Sequence, residues 1–519
     1  VIRDEEQDGA TGTWSRPKPI AWGPQQTSVF NWVRRGRGST FMRARAGTGK
    51  TTTLVGVCHV LREINELGSV AMAAFNTKIV KDVKLKLAEE EFSWKDVNVR
   101  TFHGHGYAPL RKVYDRAFLD EDGRAKLEEI CRLAGTPQHL ESFCAQLVSL
   151  AKNAAVGIFS NVDDDKVWLG LVDHHDMADD LERLEDLRLA VDKAKLMLHH
   201  SNEICHRLLN FDDMIYVPVL KRMRFWQNRW VLIDEAQDTN AIRRAMARMM
   251  LRGDGRSIWV GDDRQAIYGF TGADADSVEK IQREFGCDVH PLTLTYRCGK
   301  SIVAEAQQFV PDIEAHESNE AGTVRRIHER ELVSQELRAD DAILCRKTAP
   351  LITTAFALIK RGIACHVEGR EIGAGLLKLA KRWKTVKTVD ALRTKLEDFC
   401  EKQVKKFMDK KKEVKAEQVR DRVDTLLALM QGCPDLACVE KKIEDMFKDD
   451  DLEVKKTLTL STVHRAKGRE WPRVFVLGRF QFMPSNFARQ QWQLVQEDNL
   501  IYVACTRAKS ELVYVDVDM

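Results

Sequence analysis

The stretch Ala46-Gly47-Thr48-Gly49-Lys50-Thr51 has the residue types that grip a triphosphate. Its glycines let backbone N–H groups turn inward onto phosphate oxygens, and a helix opening behind them adds partial positive charge. Lys50 is placed to reach the β- and γ-phosphates, and Thr51 to give its hydroxyl to a magnesium ion. Thr40-Phe41-Met42 ahead of the loop reads as a buried strand, and Thr52 to Val57 behind it as the start of a helix. Ala44 stands where a glycine usually opens this pattern. Taken alone, the stretch also fits a plain glycine turn entering a helix.

Other residues supply the rest of a hydrolytic site. Asp234-Glu235 follows the apolar run Trp230 to Ile233. Beside a phosphate loop such a pair divides the work. Asp234 holds magnesium through water, and Glu235 orients and deprotonates the attacking water. Gln265, after the run Ser257 to Val260, is a candidate sensor of the γ-phosphate. Arg297 and Arg507, far along the chain, can bring positive charge to the transition state. Arginines arriving from a second domain make hydrolysis depend on domain closure. The Gln26 amide offers both a donor and an acceptor to an adenine edge, although a surface helix start explains it equally well.

The elements that position these residues form an α/β pattern. Val70 to Phe75, Val97 to Thr101, Trp230 to Ile233 and Ser257 to Val260 read as buried strands, and polar residues follow each. A parallel sheet places its ligand at those carboxyl ends. From His105 to about Leu209 strand runs give way to charged, leucine-rich helical periodicity. A second set of strands begins near Leu292: Val324 to Ile327, Ala342 to Cys345, Ile363 to Val367, Leu458 to Val463, Val474 to Leu477 and Leu512 to Val515. The expected division is a polar leader over 1–19, a first α/β domain over 20–104 and 207–291, and its helical insertion over 105–206. A second α/β domain spans 292–372 and 457–519, interrupted over 373–456 by a short lysine-rich helical insertion. For the lysines of that second insertion, among them Lys405, Lys406 and Lys410 to Lys412, a solvated surface and a contact to duplex phosphates both stand.

Bulk properties set limits. The 519 residues suffice for about three or four domains. A net charge of +3 carries no global basic field, so any nucleic-acid site must be a local groove. Twelve cysteines without a CxxC pair argue against a zinc ribbon or disulfide framework and for a reducing compartment. No apolar run is long enough to span a membrane, and Val1 to Gly12 does not read as a signal peptide, so an intracellular location is expected.

In order along the chain, the motifs resemble those of UvrD/Rep/PcrA-type superfamily 1 DNA helicases. Gln26 matches the Q motif, Ala46 to Thr51 motif I, Phe75-Asn76-Thr77-Lys78 motif Ia and Thr101-Phe102-His103-Gly104 motif Ib. Phe211-Asp212-Asp213 resembles the segment preceding motif II, which is Asp234 to Asn240. Gly261 to Phe270 matches motif III, Tyr296-Arg297 motif IV, Thr462 to Glu470 motif V and Glu497 to Ala508 motif VI. The resemblance implies two RecA-like domains, each with a helical insertion, using ATP and Mg2+. It implies a nucleotide site of Gln26, Ala46, Gly47, Thr48, Gly49, Lys50, Thr51 and Thr52, with Tyr296 stacking on adenine and Glu470 touching the ribose. Arg297 and Arg507 would contact the γ-phosphate, and Thr51 and Asp234 would hold the metal. It implies a single-strand track of Phe75, Asn76, Thr101, Phe102, His103, Phe270, Thr462 and His464, since aromatic faces stack on any base.

The activity so implied is an ATP-dependent DNA helicase moving 3′ to 5′ on single-stranded DNA, engaging tailed or forked duplexes in repair, recombination or replication. The rival is a DNA-stimulated ATPase subunit of a larger repair or defence complex. A binding scaffold with a dead ATPase is opposed by the joint presence of Lys50, Asp234, Glu235, Gln265, Arg297 and Arg507. The family pattern is not followed throughout. Thr52 and Thr271 stand where arginines are common, Phe270 replaces a tryptophan, and Arg465 and Arg469 occupy positions often small and apolar. With Met519 following soon after the motif VI strand, the nuclease domain of RecB- and AddA-like relatives is not expected. Because the nucleotide residues lie outside 373–456, that insertion is expected to be removable without loss of ATP hydrolysis.

Overall fold

Val70–Ala74 is buried at all five positions, as a strand must be when helices cover both faces of its sheet. In the computed structural model, residues 22–175, 177–181, 183–267, 276–383, 385–409, 413–447, 457–485, 488 and 491–518 are described. The first sheet has six parallel strands in the order Val97–Thr101, Val70–Ala74, Asn228–Ile233, Leu251–Gly261, Ser39–Ala44 and Cys287–Leu292. One strand therefore separates the phosphate-loop strand from the strand that ends at Asp234. The second sheet is also six parallel strands, in the order Thr323–His328, Ala508–Asp516, Trp471–Leu477, Ala342–Cys345, Leu458–Thr462 and Cys365–Val367. The chain is thus α/β with two parallel sheets. No helix among the described residues is long and apolar enough to cross a membrane.

Three expectations change. The edge strand Cys287–Leu292 carries no apolar run, because most of its side chains face solvent or are only half covered. Phe118–Leu119 of the first insertion pairs with Leu208–Leu209 just past its end, so strand pairing does occur where helical periodicity was expected. That short ladder ties the two ends of the insertion together. Beneath it Lys126 and Lys152 both bind the fully buried Asp213, with Lys152 Nζ 2.7 Å from Oδ1.

The third change concerns the second insertion. Its helices Val389–Asp409, Glu413–Met430 and Leu436–Met446 do not stand apart from the sheet. Leu396, Val423, Leu426 and Ile443 share one core with Leu351 and Leu358 of the helix Thr348–Lys360 and with Ile343 and Leu460 of the sheet. Asp421 also caps that helix, taking Thr348 N at 2.9 and 3.0 Å and Ala349 N at 2.9 Å. Excision would bare the apolar side of the helix Thr348–Lys360 and remove its cap, which weighs against the expectation of a removable insertion. Lys410 to Lys412 lie outside the described residues.

Candidate nucleotide site and nucleic-acid track

The phosphate loop takes its shape from two glycines in the left-handed region, Gly47 at φ 73° and Gly49 at φ 80°. A Cβ on Gly47 would also lie 2.4 Å from both Thr295 Oγ1 and Arg297 Cβ. Lys50 opens the helix Lys50–Glu63. Thr48 closes the turn by donating its hydroxyl to Arg45 O at 2.9 Å. Lys50 Nζ is buried and has no hydrogen-bond partner among the described residues. An ammonium desolvated without a partner is costly, and a triphosphate would supply the missing charge.

Asp234 and Glu235 follow the strand Asn228–Ile233, one strand removed from the phosphate-loop strand. Glu235 is itself left-handed, at φ 51°, a strained conformation at the carboxyl end of a central strand. Burial raises both carboxyls. At Glu235 the charges of Lys50 and Lys467 outweigh burial and hold it down to about 2. Asp234, buried beside that negative charge, is pushed up to about 6. Glu235 is therefore ionised at neutral pH, the state a general base needs. Thr51 and Asp234 offer the hard oxygen donors that suit Mg2+, and a divalent cation would favour the ionised form of Asp234 against its burial.

The second half closes over this site. Tyr296 N donates to Gly47 O at 3.0 Å, and Ala46 N donates to Tyr502 Oη at 2.9 Å. Arg507 is almost fully buried and donates to Val503 O at 3.0 Å and Arg469 O at 2.9 Å, and its third nitrogen lies 3.5 Å from Gln265 Oε1. Burial and then Arg297 lower its affinity for the proton, to about 10. Arg297 Nε lies 2.5 Å from Glu470 Oε2, and Lys509 takes the other oxygen at 2.8 Å. The carboxylate expected on the ribose thus serves the arginine. Gln26 accepts Gly23 N at 3.0 Å and donates to Thr53 Oγ1 at 3.0 Å, so both ends of its amide already hold the chain. One face of Tyr296 is covered by His316, with ring centroids 4.7 Å apart, and the residue is 43% exposed. Thr52 lies in the first turn of the Lys50 helix.

The expected track divides. Phe75, His103, Phe211 and Arg243 line a cavity of about 480 Å3 together with Ser149 and Asn153. His103 stacks on Phe211 at 3.8 Å, and the Arg243 guanidinium sits 5.0 Å from the Phe75 ring centroid. Burial, then Arg243, lowers His103 to about 3, so it stacks as a neutral ring. Asn76 and Thr101 are helix caps, accepting Ile79 N at 2.9 Å and Gly104 N at 3.0 Å. Phe102 is 2% exposed in the hydrophobic core and cannot stack on a base, which corrects its assignment. Thr462 and His464 lie at the end of a second-sheet strand, apart from this cavity, and burial with Arg346 lowers His464 to about 3. Phe270 and Thr271 lie outside the described residues.

Sequence reasoning assigned no role to Lys467. Its ammonium holds Asp238 at 2.7 and 2.9 Å and Gln265 O at 2.7 Å, joining the two halves through buried groups. The available signal was a lysine just past the end of the strand Leu458–Thr462, where polar residues gather at the carboxyl end of the sheet.

The sequence matches the UvrD/REP helicase N-terminal domain over residues 24–286 and the UvrD-like helicase C-terminal domain over residues 370–516. It is similar to the ATP-dependent DNA helicase Rep of Buchnera aphidicola subsp. Acyrthosiphon pisum, 21% identical over 622 residues covering 94% of each chain. It is 26% identical over 300 residues to a probable DNA helicase II homolog of Mycoplasma genitalium, covering 54% of this chain and 42% of that one. With DNA helicase II of Escherichia coli K12 the identity is 24% over 293 residues, covering 53% and 38%. The chain thus spans about two fifths of the length of the last two relatives. With its first half matched nearly end to end and its two parallel sheets meeting at one phosphate loop, the chain belongs to the UvrD/Rep helicase family.

Proposed function

We propose that the protein is an ATP-dependent DNA helicase that moves 3′ to 5′ on single-stranded DNA, in repair, recombination or replication. The observation that carries this reading is the buried, unpartnered Lys50 ammonium, with Glu235 ionised beside it and Arg507 facing Gln265 from the other half. Lys50 and the loop amides bind phosphate. Glu235 takes a proton from the attacking water. Gln265 and Arg507 sit where domain closure brings them to the γ-phosphate, so hydrolysis follows closure. Thr51 and Asp234 would hold a magnesium ion, whose charge would offset that of the phosphates. The cavity of Phe75, His103 and Phe211 takes a base by stacking, with Arg243 beside it for a phosphate. His464 and Thr462 extend the track onto the second half.

The second reading is a DNA-stimulated ATPase within a larger repair or defence complex. Its support is the second insertion, which is packed into the core of its sheet and is not a free arm for a duplex. ATP hydrolysis with and without single-stranded DNA tests the shared part. Tailed duplexes separate the readings. Unwinding of a 3′-tailed but not a 5′-tailed substrate is expected; strong ATPase with no unwinding of either would favour the subunit.

A further inference from the structure

Arg45 opens the phosphate loop, and none of the steps above uses it. Its side chain is 6% exposed and meets three carboxylates. One terminal nitrogen lies 3.0 Å from Asp262 Oδ1 and 2.6 Å from Asp263 Oδ1. Nε and the other terminal nitrogen pair with the two oxygens of Asp312 at 2.9 and 2.8 Å. Arg43 and Arg264 approach Asp263 more loosely, at 3.9 and 4.0 Å. Asp262 and Asp263 follow the Leu251–Gly261 strand of the first sheet. Asp312 comes from the other half, in the turn between the helix Lys300–Ala306 and the strand Glu314–Ala315. Its neighbours Val310 and Ile313 are buried in the same cluster as Ala46 and Ile267, so the turn is firmly seated against the phosphate loop. The two-pronged pair therefore crosses the cleft, with the geometry that makes arginine–carboxylate contacts strong and directional.

The contact continues inward. Asp262 is fully buried, and its other oxygen accepts Gln265 Nε2 at 2.8 Å and the Tyr502 hydroxyl at 3.2 Å. The same Arg45 whose side chain holds Asp262 accepts Thr48 Oγ1 with its carbonyl and so braces the loop turn. We infer that Arg45 and Asp312 are positioning residues that tie the orientation of Gln265 to closure of the two halves. With the halves together, Asp312 fixes the Arg45 guanidinium against Asp262. Asp262 then holds the Gln265 amide nitrogen, which leaves the amide oxygen facing Arg507. With the halves apart, Arg45 loses its bidentate partner and the Gln265 amide loses its brace. This inference rests on the reading of Gln265 as the γ-phosphate sensor.

The test compares wild type, Asp312→Asn and Asp312→Glu in ATP hydrolysis with oligo-dT, in thermal melting and in amide hydrogen exchange over residues 258–267. Asp312→Asn should lower kcat by about tenfold or more while KM for ATP moves less than about threefold, because the defect is in aim and not in grip. Asp312→Glu should recover most of the rate. Exchange at 262–266 should quicken in Asp312→Asn, with the distant helix Asp186–Glu203 unchanged. A wild-type kcat in Asp312→Asn would overturn the inference, as would a lower melting temperature with kcat intact or unaltered exchange at 262–266. The exchange comparison needs no turnover. A wild type that hydrolyses no ATP would therefore remove the proposed function, and exchange at 262–266 would still decide the role of the pair.

Discussion

The carboxylates of the site do two different jobs because their surroundings divide one charge unequally. Glu235 lies under Lys50 and Lys467 and is ionised, whereas Asp234 is left with the cost of burial. Glu235→Gln keeps the shape of the side chain but removes the base. It should retain ATP binding, followed with a fluorescent nucleotide analogue, while hydrolysis falls by about 10²–10⁴-fold. A normal turnover in this variant would move the base elsewhere. Asp234 gives a second, independent test. Its carboxyl is raised in the folded chain from 3.8 to about 6, so its ionisation costs stability increasingly as pH rises from about 4 and in full above about 6. Asp234→Asn should therefore raise the melting temperature at pH 8, without metal or nucleotide, and abolish activity. The gain should shrink as pH falls from 6 and vanish below about 4, where the wild-type carboxyl is protonated in both states. A gain that persisted at pH 3 would mean that packing, and not charge, sets the difference.

At the scale of elements, the second insertion behaves as part of its sheet. Leu426 is fully buried among residues of the insertion and of the helix Thr348–Lys360. Leu426→Ala should cost about 2–5 kcal/mol of stability, as for other buried leucines. Because the core is shared, the loss should appear as earlier melting of the whole second half and not of a separate unit. A biphasic melt with only a small early transition would restore a separable insertion. The elements that were legible in the sequence were those with both faces buried: Val70–Ala74, Ala342–Cys345 and Asn228–Ile233 are nearly unbroken apolar runs. The edge strand Cys287–Leu292 is half solvated and sends no such signal. The chemistry of Lys50, Asp234 and Glu235 was legible because it follows from residue type at a strand end. The facing of Phe102 was not, because adjacent aromatics do not reveal which ring turns inward: Phe102 entered the core and His103 the cavity. Asn76 and Thr101 were legible as polar strand ends, yet their side chains serve as helix caps.

At the scale of the whole molecule, the question is what holds the two halves together around the phosphate loop. Beside the Arg45–Asp312 pair, buried contacts bridge the halves: Lys467 on Asp238, Arg507 near Gln265, and Tyr502 between Ala46 N and Asp262. None of these partners is near another in sequence, so no local pattern could have paired them. Tyr502 gives the cleanest test, since a single hydroxyl meets both a loop amide and a buried carboxylate. Tyr502→Phe keeps the ring and its packing. It leaves Ala46 N–H without a partner and takes one donor from Asp262, a loss of about 1–3 kcal/mol that falls on the closed arrangement alone. Opening the cleft would return those groups to water, so the cost weighs on closure more than on folding. The expected result is a kcat/KM for ATP lowered about tenfold or more in the presence of oligo-dT, with the melting temperature close to wild type. If Tyr502 instead competed with phosphate for the Ala46 amide, the variant would bind ATP more tightly. A lower KM would then show that closure at Ala46 must release before the nucleotide is gripped.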